Sequence, residues 1–162
     1  MILIYMSFIQ IYTQAFLIIM IMMTTFWIVG AQYHRTDNPL GIFDFAGVAL
    51  WIIGFTFEAV GDFQLALFKG EPLNKGKVMD KGFWHYTRHP NYFGDSAVWW
   101  GFGLICLASG SYLPALGSVL MTALIIKVSG VALLEKTLKE DKPQYMEYIE
   151  KTSSFIPWFP KK

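Results

Sequence analysis

Charge is missing from the start of this chain. No Asp, Glu, Lys or Arg stands between Met1 and Tyr33, which excludes a water-facing surface for that stretch. A run of about 20 apolar residues suffices to cross the hydrocarbon core of a bilayer. The stretch is too long for a secretory leader and lacks a basic start and a small-residue cleavage site, so a retained transmembrane helix is predicted over residues 1–33. Cysteine occurs once, at Cys106 in an apolar run, which excludes an internal disulfide and leaves packing as its role. A strong net charge is absent as well: the formal value is +1, and no Lys/Arg stripe interleaves with aromatics, so nucleic acid is excluded as a partner. Glycine-rich phosphate cradles of the Rossmann or P-loop kind and Ser or Cys nucleophile motifs are missing too, which disfavours the soluble cofactor folds.

What is present is apolar. The 162 residues are 54% hydrophobic, with a mean hydropathy of +0.41. That composition fits one membrane domain, all-α, a polytopic bundle of about four transmembrane helices. After the first span, Tyr33 to Gly41 reads as a loop through its Asn, Asp, Pro and Gly. A second span is predicted over 42–68. It carries Glu58, Asp62 and Gln64, and the spacing of Glu58 and Asp62 sets both carboxylates on one helix face, one turn apart. Either that face is functional, or the helix ends near Glu58 with its acids in headgroup water.

Residues 69–95 form a hydrophilic loop whose lysines place it on the cytoplasmic side. A third and a fourth span, within 96–134, make a hairpin broken at Ser109-Gly110-Ser111, with Lys127 near the end of the fourth. Residues 135–162 are a charged amphipathic tail on the same face as the loop, with Tyr145, Tyr148 and a Trp-, Phe- and Lys-rich close that suits the membrane interface.

The densest chemistry lies in Gly82-Phe83-Trp84-His85-Tyr86-Thr87-Arg88-His89-Pro90-Asn91-Tyr92-Phe93-Gly94-Asp95. His85 and His89 stand four apart, as zinc ligands do on a helix. No glutamate lies between them, Arg88 opposes a cation and Pro90 disturbs the helix, so no metal site is expected. Pro90 favours a turn before it, and Asn91 is predicted as the N-cap of the next helix. Arg88 with Lys69, Lys75, Lys77 and Lys81 can hold phosphates or a carboxylate. Asn91 and Asp95 can hydrogen-bond a ribose or amide, and Trp84, Tyr86, Tyr92 and Phe93 can stack on a base. The block is then either a cofactor site at the mouth of a bundle or an interfacial anchor of Trp, Tyr and Lys.

The block resembles the signature of bacterial membrane proteins described as steroid 5-alpha-reductase-like, which are related to isoprenylcysteine carboxyl methyltransferases. Gly54-Phe55-Thr56-Phe57-Glu58 with Asp62 and Gln64, and Tyr148 followed by Thr152-Ser153-Ser154-Phe155-Ile156-Pro157-Trp158-Phe159-Pro160, are similar to two further motifs of that family. The resemblance implies a multi-pass protein of the bacterial inner membrane, with the signature loop and C-terminus cytoplasmic. It implies an NADPH-dependent reductase of a conjugated C=C bond in a lipophilic, steroid- or isoprenoid-like enone, with membrane lipids around it. The alternatives it leaves are an S-adenosylmethionine-dependent methyltransferase and a non-catalytic membrane scaffold.

For the reductase the resemblance sets an N-x-x-G-E pattern on Asn91, Gly94 and Asp95 and an acidic position on Asp62 with Glu58 one turn before it, and Asp62, Arg88, His89, Asn91, Asp95 and Tyr148 are expected as its cofactor contacts. For the methyltransferase it sets an R-H-P-x-Y pattern on Arg88, His89, Pro90 and Tyr92, with a glutamate near Glu135. Asp95 stands where the family has glutamate. Such relatives are longer at the N-terminus, so the chain is expected to be a C-terminal portion that holds the cofactor half.

Overall fold

The structure, a computed structural model, describes residues 39–129, 131, 135, 138 and 144–161. The span expected over 1–33 and the start of the loop after it lie outside the described residues, as does most of 130–143. Every regular element among the described residues is helical.

The first helix, α1, is Ile42–Gly70. Asp44 opens it: its carboxylate accepts from the Gly41 N–H at 2.8 Å, placing negative charge where the helix leaves N–H groups unpaired. No proline interrupts the 29 residues, and at about 1.5 Å per residue the helix is roughly 44 Å long. It is the one described helix long and apolar enough to cross a membrane. Phe45, Val48, Ile52, Phe55 and Leu67 project outward and exposed.

The inner face of α1 is built from glycine. Gly47, Gly54 and Gly61 recur every seventh residue and are buried. They pack antiparallel against α2, Pro90–Ala108. A Cβ on Gly47 would stand 2.7 Å from the Gly101 carbonyl, and one on Gly54 would stand 2.6 Å from the Val98 nitrogen. On the facing helix, a Cβ on Gly94 would meet the Gly54 carbonyl at 2.5 Å. Small residues at this period let the two backbones touch, the common device of helix pairs in membranes.

α2 begins at Pro90, with His89 as its N-cap. This corrects the expectation that Asn91 caps the helix. Proline needs no N–H partner and is preorganised for the first helical position, so the boundary falls one residue earlier and frees the Asn91 side chain to reach across to α1. Ser109-Gly110-Ser111 ends the helix as expected, with Gly110 at φ 81.

A third helix, α3, Leu113–Leu124, returns along α2 and runs into a π-turn at Ile125–Ser129. A ladder of hydroxyls joins the two. Ser118 Oγ donates to the Trp99 carbonyl at 2.6 Å, and Thr122 Oγ1 donates to the Ser118 carbonyl at 2.8 Å. Thr122 has one hydrogen and has spent it, so Ser96 Oγ at 2.7 Å and Trp100 Nε1 at 3.1 Å are donors to it.

The chain between α1 and α2 turns at Pro72–Asn74 and again in a 3₁₀ turn at Gly82–His85. Asn74 Nδ2 closes the end of α1 by donating to the Phe68 carbonyl at 3.0 Å. Gly82 sits at φ 61, and a Cβ there would lie 2.6 Å from the Gln64 amide, which accepts from the Phe83 N–H at 3.0 Å. A short helix, α4, Tyr145–Lys151, and an extended strap to Lys161 then cover this turn.

Candidate functional site

Backbone and side-chain bonds fasten the turn around residues 84–88 to α4 and the strap. The Arg88 N–H donates to the Ser153 carbonyl at 2.8 Å and the Trp158 N–H to the Tyr86 carbonyl at 2.9 Å. Thr87 Oγ1 donates to the Phe155 carbonyl at 2.9 Å. The Tyr148 hydroxyl donates to the Trp84 carbonyl, and Trp84 Nε1 in turn donates to the Gly61 carbonyl of α1 at 3.0 Å. The signature turn is therefore held between α1 below and the C-terminal segment above.

Arg88 ends up buried, 7% exposed, against Glu135 at 13%. Its Nε and Nη2 donate to Glu135 Oε1 at 2.9 and 2.8 Å. Its Nη1 donates to the Ile149 and Thr152 carbonyls at 3.0 and 2.5 Å. Four of the five guanidinium N–H groups are thus committed within the protein. The same Glu135 oxygen lies 3.2 Å from His89 Nε2. The His89 ring stacks on Tyr92, centroids 5.5 Å apart and planes 10° from parallel.

Two cavities flank this cluster. A small one of about 110 Å³ is walled by Trp84, Arg88, His89, Tyr145, Tyr148 and Met79. A larger one of about 570 Å³ has Lys77, Lys81, His85, Lys151 and Glu147 on its sides. Tyr148 and Val78 belong to both. His85 and His89 therefore line different spaces, and no cluster of three metal-type ligands occurs among the described residues.

Burial sets the protonation of the small cavity's walls. Burial pushes the His89 pKa below the ordinary histidine range, and the hydrogen bond and charge of Glu135 offset this only in part. Burial first, and the Glu135 charge second, push the Tyr145 phenol up to about 12. Tyr148 is raised too, chiefly by burial, so both phenols keep their protons. A neutral buried imidazole destabilises the fold in acid. The folded chain binds fewer protons than the unfolded chain below the free-histidine value of about 6.5, so stability falls as pH drops through that value. In thermal melts between about pH 7.5 and about pH 5.5, His89→Gln, which cannot titrate, shows a shallower decline than the wild type.

The remaining sequence-predicted residues gather at the α1–α2 seam. Asn91 Nδ2 donates to Asp62 Oδ1 at 2.9 Å, and Trp99 Nε1 donates to Asp95 Oδ1 at 3.1 Å. Glu58 lies within electrostatic reach of both acids. Gly94 is buried between the α1 and α2 backbones. So Arg88, His89, Glu135 and Tyr148 form one group, and Glu58, Asp62, Asn91, Gly94 and Asp95 another. Tyr92 stands between them, with its ring on His89 and its hydroxyl under the influence of Asp62 and Asp95. Of the first group, Arg88, His89 and Tyr148 line the small cavity, and Tyr148 lines the larger one as well. Trp84, expected from sequence as a stacking ring, and Tyr145 share the small cavity's lining; Tyr145 was not singled out by sequence as a site residue, and its signal was a spacing of one helical turn from Tyr148.

A likeness to known proteins exists on part of the chain. Over 67 residues it is 36% identical to "Probable O-methyltransferase ustE" of Ustilaginoidea virens, which covers 41% of this chain and 22% of that protein. The chain thus spans about a fifth of the length of this relative. No solved structure matches. A family match extends over residues 2–152, nearly the full length. By that match the chain belongs to DUF1295, a family of proteins of unknown function.

Proposed function

We propose that this chain carries the cofactor site of a membrane enzyme that transfers a methyl group from S-adenosylmethionine to a lipophilic acceptor. The observation that carries this reading is the commitment of Arg88. With four of its five N–H groups spent on Glu135 and two carbonyls, the guanidinium has little left to offer a phosphate. Apart from Arg88 and Lys69, the small cavity's lining consists of rings, apolar side chains and neutral polar atoms. His89 and Tyr145 belong to that lining, and His89 Nδ1 and the Tyr145 hydroxyl are buried without a hydrogen-bond partner among the described residues. Buried polar atoms are rarely left so, and a ligand that brings its own donor and acceptor fits them. The partial likeness to an O-methyltransferase supports the same reading.

S-adenosylmethionine, when bound, supplies an electrophilic methyl group on a sulfonium. The protein's own part is to hold and shield. Trp84, Tyr145, Tyr148 and His89 would hold one end of the ligand, since their cavity of about 110 Å³ takes only part of it, while the Arg88–Glu135 pair fixes the wall they stand on. The excess of lysine over residues 69–81 supports a cytoplasmic side for this face. The helices beyond α1 complete a bundle open to lipid, through which a lipophilic acceptor arrives.

One observation favours a second reading, NADPH-dependent reduction of a conjugated C=C bond. The 570 Å³ cavity carries Lys77, Lys81 and Lys151, where phosphates would find cations. Thermal melting of the detergent-purified chain separates the two. A ligand at about 100 times its Kd stabilises by about 2.7 kcal/mol, a rise of roughly 5 °C or more in a chain of this size. S-adenosylmethionine is expected to produce that rise. Stabilisation by NADPH alone transfers the site to the reductase reading.

A further inference from the structure

The small cavity holds a more specific message, which rests on its being the cofactor site. Glu135 Oε1 accepts from Arg88 at 2.9 and 2.8 Å and lies 3.2 Å from His89 Nε2. A carboxylate beside a guanidinium has no hydrogen to give. The hydrogen of this contact therefore belongs to His89 Nε2, and in the neutral ring Nδ1 carries a lone pair and no hydrogen. His89 is 1% exposed, and Nδ1 has no partner among the described residues. Tyr145, 3% exposed, lies close enough to the Arg88 guanidinium to be influenced by it, and its hydroxyl meets no partner at hydrogen-bond geometry among the described residues. Both residues wall the same 110 Å³ cavity, whose other lining includes Leu65, Met79 and Trp84.

We infer that Glu135 is a positioning residue that locks His89 as a hydrogen-bond acceptor, and that His89 Nδ1 and the Tyr145 hydroxyl together read the edge of a planar ligand group presenting an N–H donor beside an acceptor atom. The N–H meets His89 Nδ1, and the acceptor receives the Tyr145 hydroxyl. An acceptor fixed by a carboxylate on its far nitrogen rejects a bare carboxylate or phosphate, which has no hydrogen to offer. The edge of adenine and the carboxamide of nicotinamide share the required chemistry, and the two arms of the test tell them apart.

The test uses the full chain in detergent. Nitrogen-15 NMR of labelled histidine at about pH 7.5, assigned with His89→Gln, is expected to show His89 protonated at Nε2 and bare at Nδ1; a hydrogen on Nδ1 overturns the inference. Calorimetric titration then uses adenosine in one arm and nicotinamide in the other. One of them binds the wild type, and its affinity falls about tenfold in His89→Gln, whose amide keeps the Glu135 contact but lacks the Nδ1 acceptor. Tyr145→Phe, which removes only the hydroxyl, lowers affinity for the same probe. Equal binding by the wild type and both variants overturns the inference, as does binding of neither probe by the wild type. If S-adenosylmethionine stabilises wild type and both variants alike, the methyltransferase reading stands and the edge-reading pair falls. If adenosine affinity is lost in the variants while neither cofactor stabilises the wild type, the pair stands and that reading falls.

Discussion

Replacing Glu135 with alanine lowers the stability of the chain by about 3–5 kcal/mol, the cost of leaving a buried charge without its partner. Arg88 is too deeply placed to regain water, and its remaining bonds are to the Ile149 and Thr152 carbonyls, which carry only partial charge. The two-residue replacement Arg88→Met with Glu135→Leu costs less than Glu135→Ala alone, because apolar side chains of similar size leave no charge stranded. Thermal unfolding of the ligand-free protein in detergent measures both. If the single change costs no more than the double, the pair is held by water rather than by burial. Arg88→Lys behaves like a loss and not like a conservative change, since an ammonium cannot address Glu135 and two carbonyls from one plane.

The second large effect belongs to the glycine seam. Gly54→Val places a side chain where backbone atoms of α2 stand at 2.6 and 2.7 Å. Backbone on both sides cannot yield as a flexible side chain can, so the helices part, at a cost of about 3 kcal/mol or more. Gly70→Ala supplies the control: a Cβ there meets nothing within 4 Å, and stability changes by at most about 0.5 kcal/mol. Because α1 and α2 also carry Asp62 and Asn91, Gly54→Val lengthens their 2.9 Å contact as well. A melt in which the two glycine variants coincide would show that α1 and α2 do not rely on close backbone approach.

Much of the helical layout could be read from the chain itself. The apolar run from Ile42, the Ser109-Gly110-Ser111 break and the turn before Pro90 are local features, and local features are what sequence patterns record. Asn91 shows the limit of that reading. Its capping propensity is real, yet Pro90 beside it suits the first helical position better, and the side chain found Asp62 instead. The chemistry of the block was visible as residue types, but its partners were not. Arg88 is satisfied by groups 47 to 64 residues away, and no spacing rule reaches that far. The same separation explains why lysines and Arg88 looked like one cationic patch. The fold divides them in part, drawing Arg88 inward to Glu135 with Lys69 on the same small cavity and leaving Lys77 and Lys81 on the outer one. The recurrence of Gly47, Gly54 and Gly61 was legible and could have foretold the seam, since a seven-residue period of glycine has little other use within a long apolar helix.

The strap that ties Ser153, Phe155 and Trp158 to residues 86–88 has a bearing on the order in which the protein is made. A chain emerges from the ribosome at about 5–20 residues per second, and helices pair as they appear. α1 and α2 lie wholly before the strap in the chain and can pair without it. The Trp84–Arg88 turn cannot close over its cavity until residues 152–158 have emerged, because they bring the carbonyls that receive Arg88 and Thr87. Biogenesis therefore has an order, a scaffold that forms without the strap and a binding chamber that the strap seals. Shortening the chain before Ser153 would leave a helical pair with its chamber unfinished.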